Sequence, residues 1–190
     1  MKHQYIIILG MAAMVLVMFV FAAIWASRYT KVGPNKALIV SGRQVQLPDG
    51  KRVGFRIVKG GGTFVFPVFE KAEVLSLEVF TIEMPRSKVR TVKGVSVEVD
   101  CLAQVKIKGD AASIVTAAEH FLSKNEGEMK NIVRPILEKH LRTVLGSLSS
   151  EEIGQNVEAC VARVQTAASV DLGHMGLGMV SFTIRHVRAG

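Results

Sequence analysis

The chain has 190 residues, a formal net charge of +8, 49% hydrophobic and 6% aromatic residues, and a mean hydropathy of +0.32. The positive charge is typical of proteins that bind nucleic acid or an anionic membrane. The low aromatic content argues against stacking platforms for single-stranded nucleic acid. Two cysteines are too few for a disulfide framework, so we interpret Cys101 and Cys160 as reduced structural thiols.

An uninterrupted apolar segment occupies residues 5–25, without a charge, proline, Asn or Gln. At about 1.5 Å per helical residue, it matches a hydrocarbon core of roughly 30 Å. Aromatic rings close both ends, as is typical of membrane interfaces. We therefore predict a membrane-anchoring helix, in preference to a signal peptide, whose apolar region runs only about 7–15 residues. The residues assigned to the anchor are Tyr5, Ile6, Leu9, Val15, Phe19, Phe21 and Trp25.

Basic residues are concentrated after this segment. Lys2 precedes it, whereas Arg28, Lys31, Lys36 and Arg43 follow it. The positive-inside rule then places the rest of the chain in the cytoplasm, at the cell membrane. We expect Arg28, Lys31 and Lys36 to contact lipid headgroups. A re-entrant insertion from the cytoplasmic side is the alternative to a single span.

The region after the anchor has the pattern of strands and turns. Residues 37–40 form a short apolar run that predicts a strand, and residues 48–50 predict a hairpin turn. Residues 60–62 are three glycines that lack the Gly-Lys-Ser/Thr ending of a phosphate loop and precede no helix, so a turn between strands is the prediction. Residues 72–84 predict one further strand.

The next segment has the clearest strand pattern in the chain. Residues 95–108 alternate between apolar and polar side chains, with Leu102 as the exception. A period of two indicates a strand with one buried and one solvated face.

Helical patterns then take over. Asp110 is a suitable N-cap for residues 111–122, and a second helical pattern covers residues 126–145, with Pro135 predicting a kink or a break. Ser149 and Glu152 form a capping box that opens another helix. A last strand is predicted at residues 179–187. The predicted fold class is α+β: a mostly antiparallel sheet with helices packed to one side.

Residues suited to catalysis or metal binding are scattered. The five histidines occur singly, without a H-x-x-x-H or C-x-x-C spacing, and we expect His120 and His140 to lie on solvated helix surfaces. Glu151 and Glu152 are explained by their place in a first helical turn. We therefore predict no catalytic, cofactor or metal site and no nucleic-acid partner.

Three groups of residues carry a resemblance to a known family. The first is Gly61-Gly62-Thr63-Phe64-Val65-Phe66-Pro67 with Leu75-Ser76-Leu77; the second is Thr91-Val92-Lys93-Gly94-Val95 with Ala103-Gln104-Val105-Lys106-Ile107. The third is His140-Leu141-Arg142, Gly146-Ser147-Leu148-Ser149, Glu151-Glu152-Ile153 and Ser181-Phe182-Thr183-Ile184. With these motifs, residues 29–190 resemble flotillins, within the SPFH or band-7 (stomatin, prohibitin, flotillin, HflK/C) superfamily.

The resemblance implies a non-enzymatic scaffold that binds membrane lipids, forms homo-oligomeric rings or cages and organises membrane microdomains and membrane-protein assemblies. It implies an anchor at residues 1–28, a strand-rich membrane-proximal subdomain at 29–90 and an α/β subdomain at 91–190. Phe64, Val65, Phe66 and Phe69 become candidates for membrane contact, with ordinary sheet core as the alternative.

Two alternatives accompany this interpretation. The same fold serves regulatory subunits that enclose a membrane protease, as in the HflK/C and prohibitin branch. Flotillins also normally continue into a long Ala/Glu-rich coiled coil that is absent from this sequence. We therefore expect either a truncated form or assembly through the SPFH domain alone.

Overall fold

The computed structural model describes residues 2–27, 29–46, 52–66 and 69–189. The helices are α1 (Lys2–Ser27), α2 (Ala111–Phe121), α3 (Glu126–Gly146), α4 (Ser150–Gln155) and α5 (Val157–His174). The strands are β1 (Tyr29–Gln46), β2 (Arg52–Phe64), β3 (Lys71–Ser76), β4 (Phe80–Arg90), β5 (Ser96–Ile107) and β6 (Leu177–Ala189). The α+β class predicted from the sequence is confirmed.

The chain forms two compact units. The first comprises residues 1–34 and 38–72, and the second comprises residues 35–37 and 73–190. Apart from the short segment 35–37, the boundary between the two units falls between Ala72 and Glu73. The division at residues 28 and 90 suggested by the sequence remains a prediction about subdomains.

The strands form two three-stranded sheets, with the orders β2-β1-β3 and β4-β5-β6. The predicted strand at residues 37–40 is part of the longer β1, and all four of its side chains are buried. Within the first unit, Val32, Leu38, Val40 and Val65 form an apolar cluster, with Val58 packed against it. This cluster is the core on which the first unit depends.

The second sheet is antiparallel and has β5 at its centre. The alternation predicted for β5 is confirmed, because every second residue from Val97 to Ile107 is buried. Helix α3 packs against β4 and α5, and α5 packs against β6. Buried side chains recur along α3 at Val133, Leu137 and Leu141, the spacing of one helical face.

The helix starts are capped as the sequence predicts. The Asp110 carboxylate accepts a hydrogen bond from the Ser113 backbone N–H at 2.8 Å. Ser149 and Glu152 form the predicted capping box at the start of α4. Asn125 and Glu128 form a second capping box at α3 that the sequence analysis missed. Each cap satisfies backbone donors that have no partner within the helix.

Two predictions in the strand region are wrong. Residues 72–84 are not one strand, since β3 ends at Ser76, whose Oγ accepts a hydrogen bond from the Glu78 N–H. Gly60 and Gly61 are not a turn between strands, because they lie within β2 at φ of 61° and 78°. Glycine alone adopts such angles readily, so the strand continues through this irregularity. The turn predicted at residues 48–50 lies outside the described residues.

The helical region differs from the prediction at two points. Helix α3 continues through Pro135, so the predicted break is wrong, whereas the alternative of a kink there stays a prediction. Pro135 has no N–H, so the carbonyl of Asn131 lacks its usual hydrogen bond within the helix. Asn131 and Pro135 are both exposed, so water can bond to that carbonyl instead. The single helix predicted after Ser149 is in fact two helices, α4 and α5, divided at Asn156. Asn156 ends α4, and its side-chain oxygen accepts a hydrogen bond from the Ala159 N–H as the N-cap of α5.

Candidate membrane-contacting surface

Helix α1 exposes apolar side chains on every side. Within it, Gly10–Ser27 is long and apolar enough to cross a membrane, and none of this segment is buried in the protein. A signal sequence would meet the same criteria of length and composition. Ile6 and Leu9 lie in the same helix, and the exposed members of the predicted anchor are Tyr5, Val15, Phe19, Phe21 and Trp25. A helix that is apolar all round is suited to lipid.

Four aromatic rings connect the end of α1 to the strands of the first unit. Trp25 lies 6.2 Å from Phe21 and 5.7 Å from Phe64, measured between ring centroids. Phe64, at the end of β2, also meets Tyr29 of β1 edge-on at 5.3 Å. These are favourable distances for aromatic pairs. The contacts link the apolar helix to the strand-rich unit through side chains far apart in sequence.

Gly62 makes room for one of these rings. A Cβ atom at this position would collide with the Tyr29 ring. The absent side chain therefore allows Tyr29 to reach Phe64. This is a packing role for one of the three glycines that the sequence analysis assigned to a turn.

The segment after β2 exposes large apolar side chains. Phe64 is 41% exposed, Phe66 is 51% exposed and Phe69 is 81% exposed, whereas Val65 is 9% exposed. The alternation follows the two faces of an extended chain. Val65 points into the apolar cluster of the first unit, so we withdraw it as a membrane-contacting residue. The three phenylalanines remain candidates, and we call residues 64–66 together with 69 and 70 the aromatic loop.

A pair of oppositely charged side chains, Arg56 and Glu70, bonds to the backbone of this loop. The Arg56 guanidinium donates to the Phe64 carbonyl at 2.7 Å and lies 3.2 Å from a Glu70 carboxylate oxygen. The same carboxylate oxygen accepts from the Phe66 N–H at 3.1 Å. The Phe69 and Glu70 N–H groups both donate to the Phe66 carbonyl. Sequence reasoning missed Arg56 and Glu70, because nothing local marks residues 14 positions apart as a pair.

The predicted headgroup residues are placed separately. Lys31 and Lys36 are exposed on β1, Lys31 in the first unit and Lys36 in the second. Arg28 lies outside the described residues. Exposed lysines can contact anionic headgroups, and this role remains a prediction.

The described residues provide little for metal or thiol chemistry. Among them, no group of three or more His, Cys, Asp or Glu side chains is placed to hold a metal ion.

Cys101 and Cys160 are both free and buried. Burial, reinforced by Asp100, raises the pKa of Cys101 to about 12, and burial also raises the pKa of Cys160. Both thiols are therefore protonated at neutral pH and poorly nucleophilic.

The predicted surface position of His140 is wrong. Its side chain is 15% exposed, and its Nε2 lies 2.9 Å from an Asp171 carboxylate oxygen. This hydrogen bond lowers the pKa of Asp171, with Lys139 and His174 adding to the effect. His140 thus joins α3 to α5.

The described residues thus form an exposed apolar N-terminal helix, a strand-rich unit with an aromatic loop and an α+β unit. The chain belongs to the SPFH domain / Band 7 family, whose model matches residues 30–190. It is flotillin-like within that family. It is 42% identical to the flotillin-like protein FloT of Bacillus subtilis over 99% of this chain. It is 37% identical to flotillin-1 of Drosophila melanogaster over 84% of the chain, and 38% identical to human flotillin-2 over 82%.

The chain spans little more than a third of the length of these relatives: 37% of FloT, 36% of flotillin-1 and 35% of flotillin-2. The family membership therefore concerns the SPFH region.

Proposed function

We propose that this chain is a membrane-anchored, non-enzymatic scaffold that homo-oligomerises and organises membrane microdomains and membrane-protein assemblies. Its cytoplasmic SPFH region rests against the bilayer, and α1 is the anchor. The observation that carries the proposal is the contact of Phe64 with both Trp25 and Tyr29. Because Trp25 closes an apolar helix of membrane-spanning length, this contact brings the end of β2 to the level of the membrane interface.

The exposed phenylalanines support this arrangement. Phe66 and Phe69 follow Phe64 within five residues, and both are more than half exposed. Large apolar side chains grouped on one loop are costly in water but favourable at the boundary between headgroups and acyl chains. The net charge of +8 adds attraction to an anionic inner leaflet.

The test is reconstitution of the full chain in nanodiscs of phosphatidylcholine and phosphatidylglycerol, followed by mass photometry and cryo-electron microscopy. We expect discrete homo-oligomers with the SPFH region against the lipid. A clean monomer would overturn the scaffold function for this chain. Stoichiometric recovery of a membrane protease from native membranes would favour the regulatory-subunit alternative instead.

The anchor is tested by fluorescence, because Trp25 is the single tryptophan of the chain. Lipids brominated close to the headgroup should quench Trp25 more strongly than lipids brominated at the ends of the acyl chains. Equal and weak quenching by both lipids would contradict an interfacial position for Trp25.

A further inference from the structure

We infer that the Arg56–Glu70 ion pair is a clamp that holds the aromatic loop in the conformation from which Phe66 and Phe69 contact lipid. This inference rests on the proposed membrane contact and adds two positioning residues to it. Neither Arg56 nor Glu70 needs to touch lipid. They act through the backbone of the residues that do.

The first step of the argument is the geometry of the carboxylate. One oxygen of Glu70 accepts from Arg56 on β2 and from the Phe66 N–H. Arg56 in turn donates to the carbonyl of Phe64. The two side chains thus bond to the backbone on both sides of Val65. They fix the segment at the point where Phe64 and Phe66 turn outward and Val65 turns inward.

The second step is burial. Glu70 has a side chain only 12% exposed, and Arg56 has one 33% exposed. Arg56 Nε is buried and has no hydrogen-bond partner among the residues that the structure describes. A guanidinium that has lost part of its hydration depends on its carboxylate partner. Removing Glu70 would therefore leave both an unpaired charge and an unpaired backbone N–H.

The third step is the other end of the loop. Gly42 of β1 has a φ of 130°, and a Cβ atom there would collide with the Phe69 carbonyl oxygen. The loop is thus closed onto β1 at Phe69 and onto β2 through Arg56. The Phe69 and Glu70 N–H groups also donate to the Phe66 carbonyl. Phe64, Phe66 and Phe69 are exposed among the described residues of the loop.

The fourth step is the chemistry of the membrane interface. A loop that enters the headgroup region carries its charges into a medium of lower polarity, where an unpaired ion is expensive. Pairing Glu70 with Arg56 cancels the two charges and satisfies a backbone donor at the same time. The clamp thus allows the loop to approach lipid without exposing an uncompensated charge.

The experiment places a single tryptophan on the loop, in the full chain reconstituted in phosphatidylcholine and phosphatidylglycerol vesicles. The reporter is Phe69→Trp in a Trp25→Phe background, and the readout is quenching by lipids brominated close to the headgroup. We expect Glu70→Ala to reduce this quenching at least twofold. Glu70→Gln keeps an acceptor for Phe66 but leaves the Arg56 charge unpaired, so it should also lose quenching, although less than Glu70→Ala. Glu78→Ala removes an exposed carboxylate of the second unit and is the matched control.

The outcomes separate the two proposals. If the reporter is not quenched even with Glu70 intact, the membrane contact itself is wrong. If quenching is normal and Glu70→Ala leaves it unchanged, the contact stands and the clamp is overturned. Unchanged quenching in Glu70→Gln would also overturn the ion pair as the clamp, because the amide keeps an acceptor for Phe66 but not the charge that pairs with Arg56. Circular dichroism of each variant checks that the fold is retained.

Discussion

His140 Nε2 lies 2.9 Å from an Asp171 carboxylate oxygen, and this hydrogen bond joins the middle of α3 to the C-terminal part of α5. The two helices also pack through buried apolar residues. The polar pair therefore adds a directional contact to a non-directional interface.

We expect His140→Ala and Asp171→Ala each to lower the thermal midpoint of unfolding, because each leaves the other partner without its hydrogen bond. The double variant should lose less than the sum of the single losses, since both remove the same contact. Thermal melts of the full chain in detergent, followed by circular dichroism, measure all four members of the cycle. Additive losses would contradict a direct interaction.

Gly176 has a φ of 73°, and a Cβ atom there would collide with the Ser113 carbonyl oxygen and approach the Ala117 N–H. Gly176→Ala should therefore destabilise the protein by about 2–4 kcal/mol, from backbone strain and overpacking against α2. Gly173→Ala is the matched control, because Gly173 lies within α5, where a Cβ atom would make only an ordinary contact, at 3.8 Å, with the end of the Lys108 side chain. This control should stabilise by up to about 1 kcal/mol. Urea unfolding compares the two variants, and equal effects would count against the tight approach of the turn between α5 and β6 to α2.

Asp110 caps α2, and the hydrogen bond from Ser113 is the main reason that its pKa is lowered below the ordinary value of 3.8. A carboxylate with a lowered native pKa stabilises the fold above its unfolded pKa and loses this effect as the pH falls through the native pKa. Asp110→Ala should cost about 1 kcal/mol at neutral pH. Below a pH of about 4, the native protein should approach the alanine variant in stability. Unfolding curves at several pH values measure this, and a cap advantage that persists at low pH would contradict it.

Trp25 and Phe64 are in ring contact at 5.7 Å. Phe64→Ala should shift the Trp25 emission to longer wavelength and lower its anisotropy, because the indole loses a packing partner. Phe69→Ala removes a ring of the same kind that is 81% exposed, and it should leave the Trp25 emission unchanged. Fluorescence spectra of both variants in nanodiscs check the contact. Identical spectra for the two variants would contradict the link between α1 and β2.

Local patterns in the sequence were sufficient for the elements whose signal lies within one segment. The apolar helix at the N-terminus, the alternation along β5 and the caps at Asp110 and Ser149 all rest on neighbouring residues, and the structure contains each of them. Periodicity and capping act over a few residues, so a single segment carries the information. The family motifs added the SPFH assignment.

Tertiary structure alone decided the pairings between distant residues. The contacts of Arg56 with Glu70, of His140 with Asp171 and of Trp25 with Phe64 join residues separated by 14, 31 and 39 positions. No local period encodes such pairs, because they depend on strand register and helix packing. For the same reason the sequence left Val65 and the three phenylalanines as one group, and only the packed cluster of the first unit separated them. The burial of a side chain is a property of what surrounds it, and the surroundings come from distant parts of the chain.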